Sequence, residues 1–398
     1  MHRIDVAERR RRLAVRHCLS DAADGDAAAD RRPGDVARRL VALHGTDPAT
    51  VYLSLRARVS EPITPADIGE SLYERRELVR MLAMRRTVFV VPVKSVPIVQ
   101  ASCTDQVARD QRKLLLKHLR DLAGIADPGP WLAEVQQSVL RLFAERGEPV
   151  SAAQLTAAEP RLKTTLRMAA DKPYAASQNI TSRVLLLLAA DGHIVRGRPM
   201  GTWLSQQYRW SLREDWLGEK YVPVDESVAR IELARQWLAA FGPARLADFK
   251  WWTGWTMTAA KQAIAAANAI EVDLDGASGF ALPDDLGPTK DLNPWVAFLP
   301  ALDPTVMGWA DRSWFLGPHR ESLFDANGNA GPTIWLNGRI VGGWAQRSSG
   351  EIATKLLDDI EADDIKLIEA EAGRVEGWLA DVRVIPRFRT PTERELSA

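Results

Sequence analysis

The sequence predicts an α+β fold in which a helix-turn-helix unit with strand-like wings occurs three times, ahead of a C-terminal region containing a β-hairpin. Three observations carry that expectation. The first is residues 148–198. A turn and short helix run through Glu148-Pro149-Val150-Ser151 to Leu155, a second helix covers the apolar run 184–190, and 193–198 reads as a strand and basic turn. Ser177 or Asn179 can cap the second helix by accepting from a first-turn amide, and Gly192 supplies the positive-φ residue that ends it. The second observation is a pair of helices over 244–252 and 256–267 around the tight turn Thr253-Gly254-Trp255. The third is Asn337-Gly338 between apolar runs, the signature of a type I′ hairpin. Helix, turn, helix and an Arg-bearing hairpin is the winged-helix pattern, whose second helix enters a DNA groove. The same elements equally make a small packing unit with no such role.

The remaining elements follow in chain order. Residues 5–19 read as an amphipathic helix with Val6, Leu13, Val15 and Leu19 apolar among Arg, and 20–32 as an Ala/Asp linker ending at Pro33-Gly34. Val36, Leu40 and Leu43 share a face at i, i+4, i+7, giving a helix over 36–43 that breaks at Gly45 and Pro48. Asp47 can cap the next helix, with Pro48 at its first position; that helix carries Val51, Leu55, Arg56 and Arg58. Another helix starts at Thr64-Pro65, a further one is expected over 77–84, and the β-branched run 87–91 is a strand. Helices over 108–122 and 131–145 lead into 148–198, whose hairpin partner is Gln206-Gln207-Tyr208-Arg209-Trp210. Residues 229–240 form a helix, 269–274 and 295–302 are strand-like, 364–379 is a charged amphipathic helix, and 392–398 is a fraying tail. The chain accordingly divides as 1–100, 101–222, 223–292 and 293–398.

Composition narrows the function classes. With 52 basic and 52 acidic residues the net charge is zero, which argues against a purely electrostatic nucleic-acid binder. The charge is unevenly spread, however, with Arg clustered at 9–12, 38–39, 75–76, 85–86 and at Arg196 and Arg198, and a basic face beside an acidic one still binds DNA. No apolar run spans a bilayer. Two Cys are too few for a disulfide framework or thiolate cluster, which fits a reducing cytoplasm. The six His show no metal-binding spacing, and no phosphate-binding Gly-rich loop or nucleophile elbow occurs. Neither a metal nor a cofactor is expected. The 14 Trp read as core or inter-domain anchors, with one or two able to stack on bases.

Five motifs, in order, carry a resemblance. They are Leu40-Val41-Ala42-Leu43-His44-Gly45-Thr46-Asp47-Pro48 with residues 52–58; Met84-Arg85-Arg86-Thr87-Val88-Phe89; Phe241-Gly242-Pro243-Ala244 with Asp248, Phe249 and Trp252; Leu299-Pro300-Ala301-Leu302-Asp303; and residues 337–344. Together they resemble the AlkZ and YcaQ family of winged-helix DNA glycosylases across nearly the whole chain. The resemblance implies three tandem winged helices forming a concave, basic surface for double-stranded DNA. It also implies excision of alkylated bases, and in some members unhooking of interstrand crosslinks. The protein is expected to act as a monomer, cytoplasmic and nucleoid-associated.

The departure from that family lies at its catalytic pair. Gln-x-Gln or Gln-x-Asp is replaced by His44-Gly45-Thr46. A neutral imidazole offers one donor and one acceptor, and Thr46 both through its hydroxyl, so the pair can still hold a water. Asp47 is a helix cap or the nearest replacement carboxylate. The pair is thus either a variant catalytic site or a retired one in a DNA-binding protein. Arg85-Arg86 replaces the family's Arg-Gly and Phe89 its His. Candidate DNA contacts are Arg56, Arg58, Arg85, Arg86, Arg183, Arg196 and Arg198, with Arg339 at a hairpin tip suited to a minor groove.

Overall fold

The structure, a computed structural model, describes residues 2–20, 32–59, 62–168, 176–218 and 222–398. Most of the linker expected over 20–32 therefore lies outside the described residues.

The fold is mixed α+β with several small sheets. Strand β1 (His2–Arg3) precedes the helix Val6–Arg16, capped by Asp5, which accepts from the Glu8 amide at 2.7 Å. The helix expected over 36–43 is Pro33–Arg39, and Leu43–His44 is strand β2. Asp47 caps Pro48–Arg56 and Thr64 caps Pro65–Tyr73, as the local signals predict. The helix expected over 77–84 is a strand, β3 (Leu78–Leu82), hairpinned to β4 (Val88–Pro92). Its residues are mostly buried on both faces, which removes the alternation that marks a strand, and ladder bonds to its neighbours override local propensity.

Strands β5 (Val150–Ser151), β6 (Thr165–Met168), β7 (Ala176–Asn179), β8 (Ile194–Pro199) and β9 (Tyr208–Leu212) follow. Because β7 holds Ser177 and Asn179 in a ladder, neither caps Thr181–Ala190; Ile180 stands at that cap without a side-chain bond. Helices Glu226–Phe241, Leu246–Thr253 and Met257–Ala266 lead into the hairpin β10 (Ile270–Leu274) and β11 (Ala277–Ala281), against which β1 lies parallel. The last sheet is β12 (Val296–Leu299), β13 (Thr333–Leu336), β14 (Arg339–Gln346) and β15 (Ile352–Leu356), covered by Ala362–Leu379. Asn337 and Gly338 take φ of 49° and 83°, the conformation a two-residue I′ turn requires. The expected fraying tail is a short helix, Pro391–Leu396, because Glu393 is buried and bound by Arg389.

The six-stranded sheet, in order β2-β4-β3-β8-β9-β5, brings together strands from before residue 93 and after residue 149. Its β3–β8 junction consists of one register pair, Arg80 with Arg196. Behind it a large apolar core stacks Trp237, Phe241, Phe249 and Trp252 at ring separations of 5.0–6.4 Å.

The β3–β4 turn is strained at both of its arginines. Arg85 and Arg86 have φ of 52° and 59°, a region L-residues avoid. Arg86→Gly is expected to stay within about 0.5 kcal/mol of the parent, relief of strain offsetting added chain entropy. Arg86→Val is expected to lose about 1–2 kcal/mol in urea unfolding, because a β-branched residue suits that region worst.

Candidate nucleic-acid interface

β2 ends in a peptide held from both sides. The Gly45 amide donates to the Val88 carbonyl at 2.8 Å, and its carbonyl accepts from Arg80 Nη1 at 3.1 Å. A Cβ on Gly45 would come within 3.2 Å of backbone atoms of Val88 and Phe89, so any larger residue would press on β4. This clamp fixes the residues on either side. Thr46 is half-buried and lines a cleft of about 710 Å³, together with Gly45, Ser151, Ser182, Arg196 and Tyr208. Gln206, Gln207 and Arg387 complete its polar wall, and among the described residues no carboxylate lines it.

His44 points elsewhere. It is 7% exposed, packs on Phe89 with ring centroids 5.4 Å apart, and contributes no wall to the cleft. Its Nδ1 is buried without a hydrogen-bond partner. Burial, and then the Arg85 charge, push its pKa down to about 3, so the ring is neutral at physiological pH. Asp47 is buried and spent on structure: it accepts from the Ala49 amide at 3.1 Å and the Arg387 amide at 3.1 Å, tying the chain near residue 387 to the cleft rim. Of the three catalytic candidates, only Thr46 faces the cleft.

The expected DNA-binding arginines divide into three groups. Arg58 is fully buried in an ion pair with Asp303 at 2.6 Å and cannot touch a phosphate; Arg56 is nearly buried against Glu371. Arg85 and Arg86 are exposed, with Arg85 4.0 Å over the Trp251 ring. Arg198 is exposed and paired with Glu74 at 2.7 Å, while Arg183, in the first turn of Thr181–Ala190, meets His118 Nδ1 at 2.7 Å. Arg339 is exposed, but Gly338 beside it packs on Arg10, so the hairpin tip rests on the helix Val6–Arg16 and is no free finger.

Arg196 alone of these lines the cleft. A register shift between Arg196 and Pro199 kinks β8 there, a device that re-aims a side chain. The guanidinium sits 5.1 Å from the Trp210 ring and 5.8 Å from that of Tyr208. Sequence reasoning missed Arg80, Tyr208, Ser182 and Arg387. Arg80 carried a signal, a lone cation inside the apolar run Leu78-Val79-Arg80-Met81-Leu82, which the helix expected over 77–84 left unused.

Comparison with known proteins bears on this arrangement. Residues 37–378 match the family model of DNA glycosylase AlkZ-like proteins. No curated protein matches the chain. Among solved structures, Streptomyces sahachiroi DNA glycosylase AlkZ superposes with a TM-score of 0.72 at 18% identity, over 94% of this chain and 97% of that one. At that identity the likeness speaks for the fold.

Proposed function

Because the chain belongs to the AlkZ-like family of DNA glycosylases, we propose that it binds duplex DNA and releases alkylated bases from it. Three helix-plus-hairpin units, within 1–100, 101–222 and 223–292, would act as winged helices around a concave basic surface, with 293–398 packed behind. It would work as a monomer on cytoplasmic, nucleoid-associated DNA. The observation that supports the reading best is the cleft itself: Thr46, which the motif resemblance sets against the family's catalytic pair, shares its lining with Ser182, Arg196 and Tyr208.

Alkylation at a ring nitrogen makes the base cationic, so it leaves as a neutral molecule and needs no acid. The C1′–N bond breaks with its electrons going to the base, water oxygen bonds C1′, and the water proton passes to solvent. The Thr46 hydroxyl and the Gln206 and Gln207 amides are the groups that can orient that water. His44 is a neutral wedge behind the wall. A second reading is DNA binding without catalysis. It is favoured by the cationic lining, free of carboxylates among the described residues, which opposes positive charge on the sugar.

Base release from alkylated duplexes separates the two. Thr46→Ala is expected to slow release by about 10²-fold with duplex affinity kept, and His44→Leu to leave the rate of folded protein unchanged. Tight duplex binding with no release from any adduct selects the second reading. Lack of duplex affinity at low salt removes both.

A further inference from the structure

Arg80 and Arg196 face each other as register partners on adjacent strands, so two guanidiniums share one face of the sheet. Like charges so placed repel, and a buried cation without a counter-charge is strongly disfavoured. Arg58 is matched by Asp303 and Arg56 by Glu371, whereas the buried Arg312 is held by the Val306 carbonyl and by the Trp251 and Phe324 rings. Here, among the described residues, no carboxylate is paired with either. Arg80 is 4% exposed; apart from the bond to the Gly45 carbonyl, its Nε and Nη2 are buried without hydrogen-bond partners. The Tyr73 hydroxyl lies toward Arg80 without closing a hydrogen bond. Arg196 makes ring contacts in place of ion pairs, and Tyr208 stands between both cations, its centroid 5.5 Å from Arg80 and 5.8 Å from Arg196. Burial holds the Tyr208 phenol above its ordinary range, so it remains a neutral donor.

Of these groups, Arg196 and Tyr208 line the open cleft, where a counter-charge can enter. The cleft is lined by Arg196, Tyr208, Arg387 and Ser182, the last in the first turn of a helix whose start has no side-chain cap. We infer that the cleft holds a phosphate subsite built on Arg196, backed by the buried charge of Arg80 and completed by Tyr208 and Ser182. An arginine fork suits a tetrahedral oxyanion, which accepts two parallel bonds. At about 710 Å³ the cleft exceeds one phosphate, so the group arrives as part of a larger ester. The subsite deepens the DNA-binding reading and depends on it only for the source of that ester, a backbone phosphodiester or a free monoester.

Calorimetric titration of the full-length protein with inorganic phosphate and pyrophosphate, in a buffer free of other polyvalent anions, tests the subsite. The parent is expected to bind, and Arg196→Gln to weaken binding by about tenfold or more. Arg80→Lys, checked for folding by near-ultraviolet circular dichroism, keeps the charge and loses the fork; it is expected to fall between them. No phosphate binding by folded parent, or unchanged binding in Arg196→Gln, overturns the subsite. The source is then read by competition. If duplex DNA displaces phosphate, and Arg196→Gln lowers the salt slope of duplex binding by about one, the ester is the DNA backbone. If a nucleoside 5′-monophosphate displaces it and duplex does not, the subsite stands and the DNA reading of this cleft falls.

Discussion

Asp303→Ala is expected to destabilise the protein by about 3–5 kcal/mol, the cost of leaving a buried cation without its partner. Arg58 and Asp303 are both 0% exposed at their side chains and form a two-armed pair, Nη1 to Oδ2 at 2.9 Å and Nη2 to Oδ1 at 2.6 Å. Every remaining valence is filled. Arg58 also donates to the carbonyls of His17 and Ser54 and to the Thr305 hydroxyl, while Asp303 accepts from the Ser54 hydroxyl and the Thr305 amide. A network so fully satisfied is far more sensitive to losing one member than to exchange of a whole pair for apolar residues. Urea midpoints should fall in Asp303→Ala and in Arg58→Met, with the double variant recovering part of the loss. A loss below about 1 kcal/mol in the single variants would place the pair among weak surface bridges and refute the assignment.

Acidification is expected to weaken the fold steeply below about pH 6.5, through His17 and His44. His17 is fully buried, with Nε2 3.1 Å from the Ala240 carbonyl and Nδ1 2.8 Å from the Thr305 hydroxyl. The carbonyl can only accept, so Nε2 carries the proton. Nδ1 then accepts from Thr305, whose oxygen in turn accepts from Arg58. A second proton has no place in that chain. Burial first, and the Arg58 charge second, push the His17 pKa down to about 3, as burial and Arg85 do for His44.

A native pKa below the unfolded value means the unfolded chain binds more protons. Stability is therefore complete above about 6.5, falls as pH drops, and stops falling on this account near 3. Between pH 7 and pH 5 each imidazole is expected to remove about 2 kcal/mol. Comparing urea unfolding at the two pH values in the parent, in His17→Gln and in His44→Leu checks this. The variants should flatten the dependence stepwise, and equal slopes in all three would refute it.

How much of this was legible in the sequence depends on whether the deciding contact is local. Asp47-Pro48, Thr64-Pro65 and Asn337-Gly338 announce two helix starts and a hairpin, because caps and turns are made by neighbours in the chain. β3 was misread because its pattern is set by strands on both sides, one of them more than a hundred residues later. The motif order pointed to the family, yet not to which side chain of His44-Gly45-Thr46 faces open space. That is settled by Val88 and Arg80 gripping the Gly45 peptide. Arg58 reads as a surface cation at a helix end until Asp303 is brought against it. The cleft is assembled from residues near 45, 151, 182, 196, 208 and 387, a set no spacing rule connects.

The lone rung between β3 and β8 has a mechanical meaning. A ladder of many bonds resists shear, whereas these two hairpins share one register pair, Arg80 with Arg196, and are expected to pivot there. The cleft's banks lie on opposite sides of this pivot, Gly45 and Thr46 on one and Tyr208 and Trp210 on the other. A guest that bridges them acts as a splint, and amide exchange along β3 and β8 should slow when it is seated.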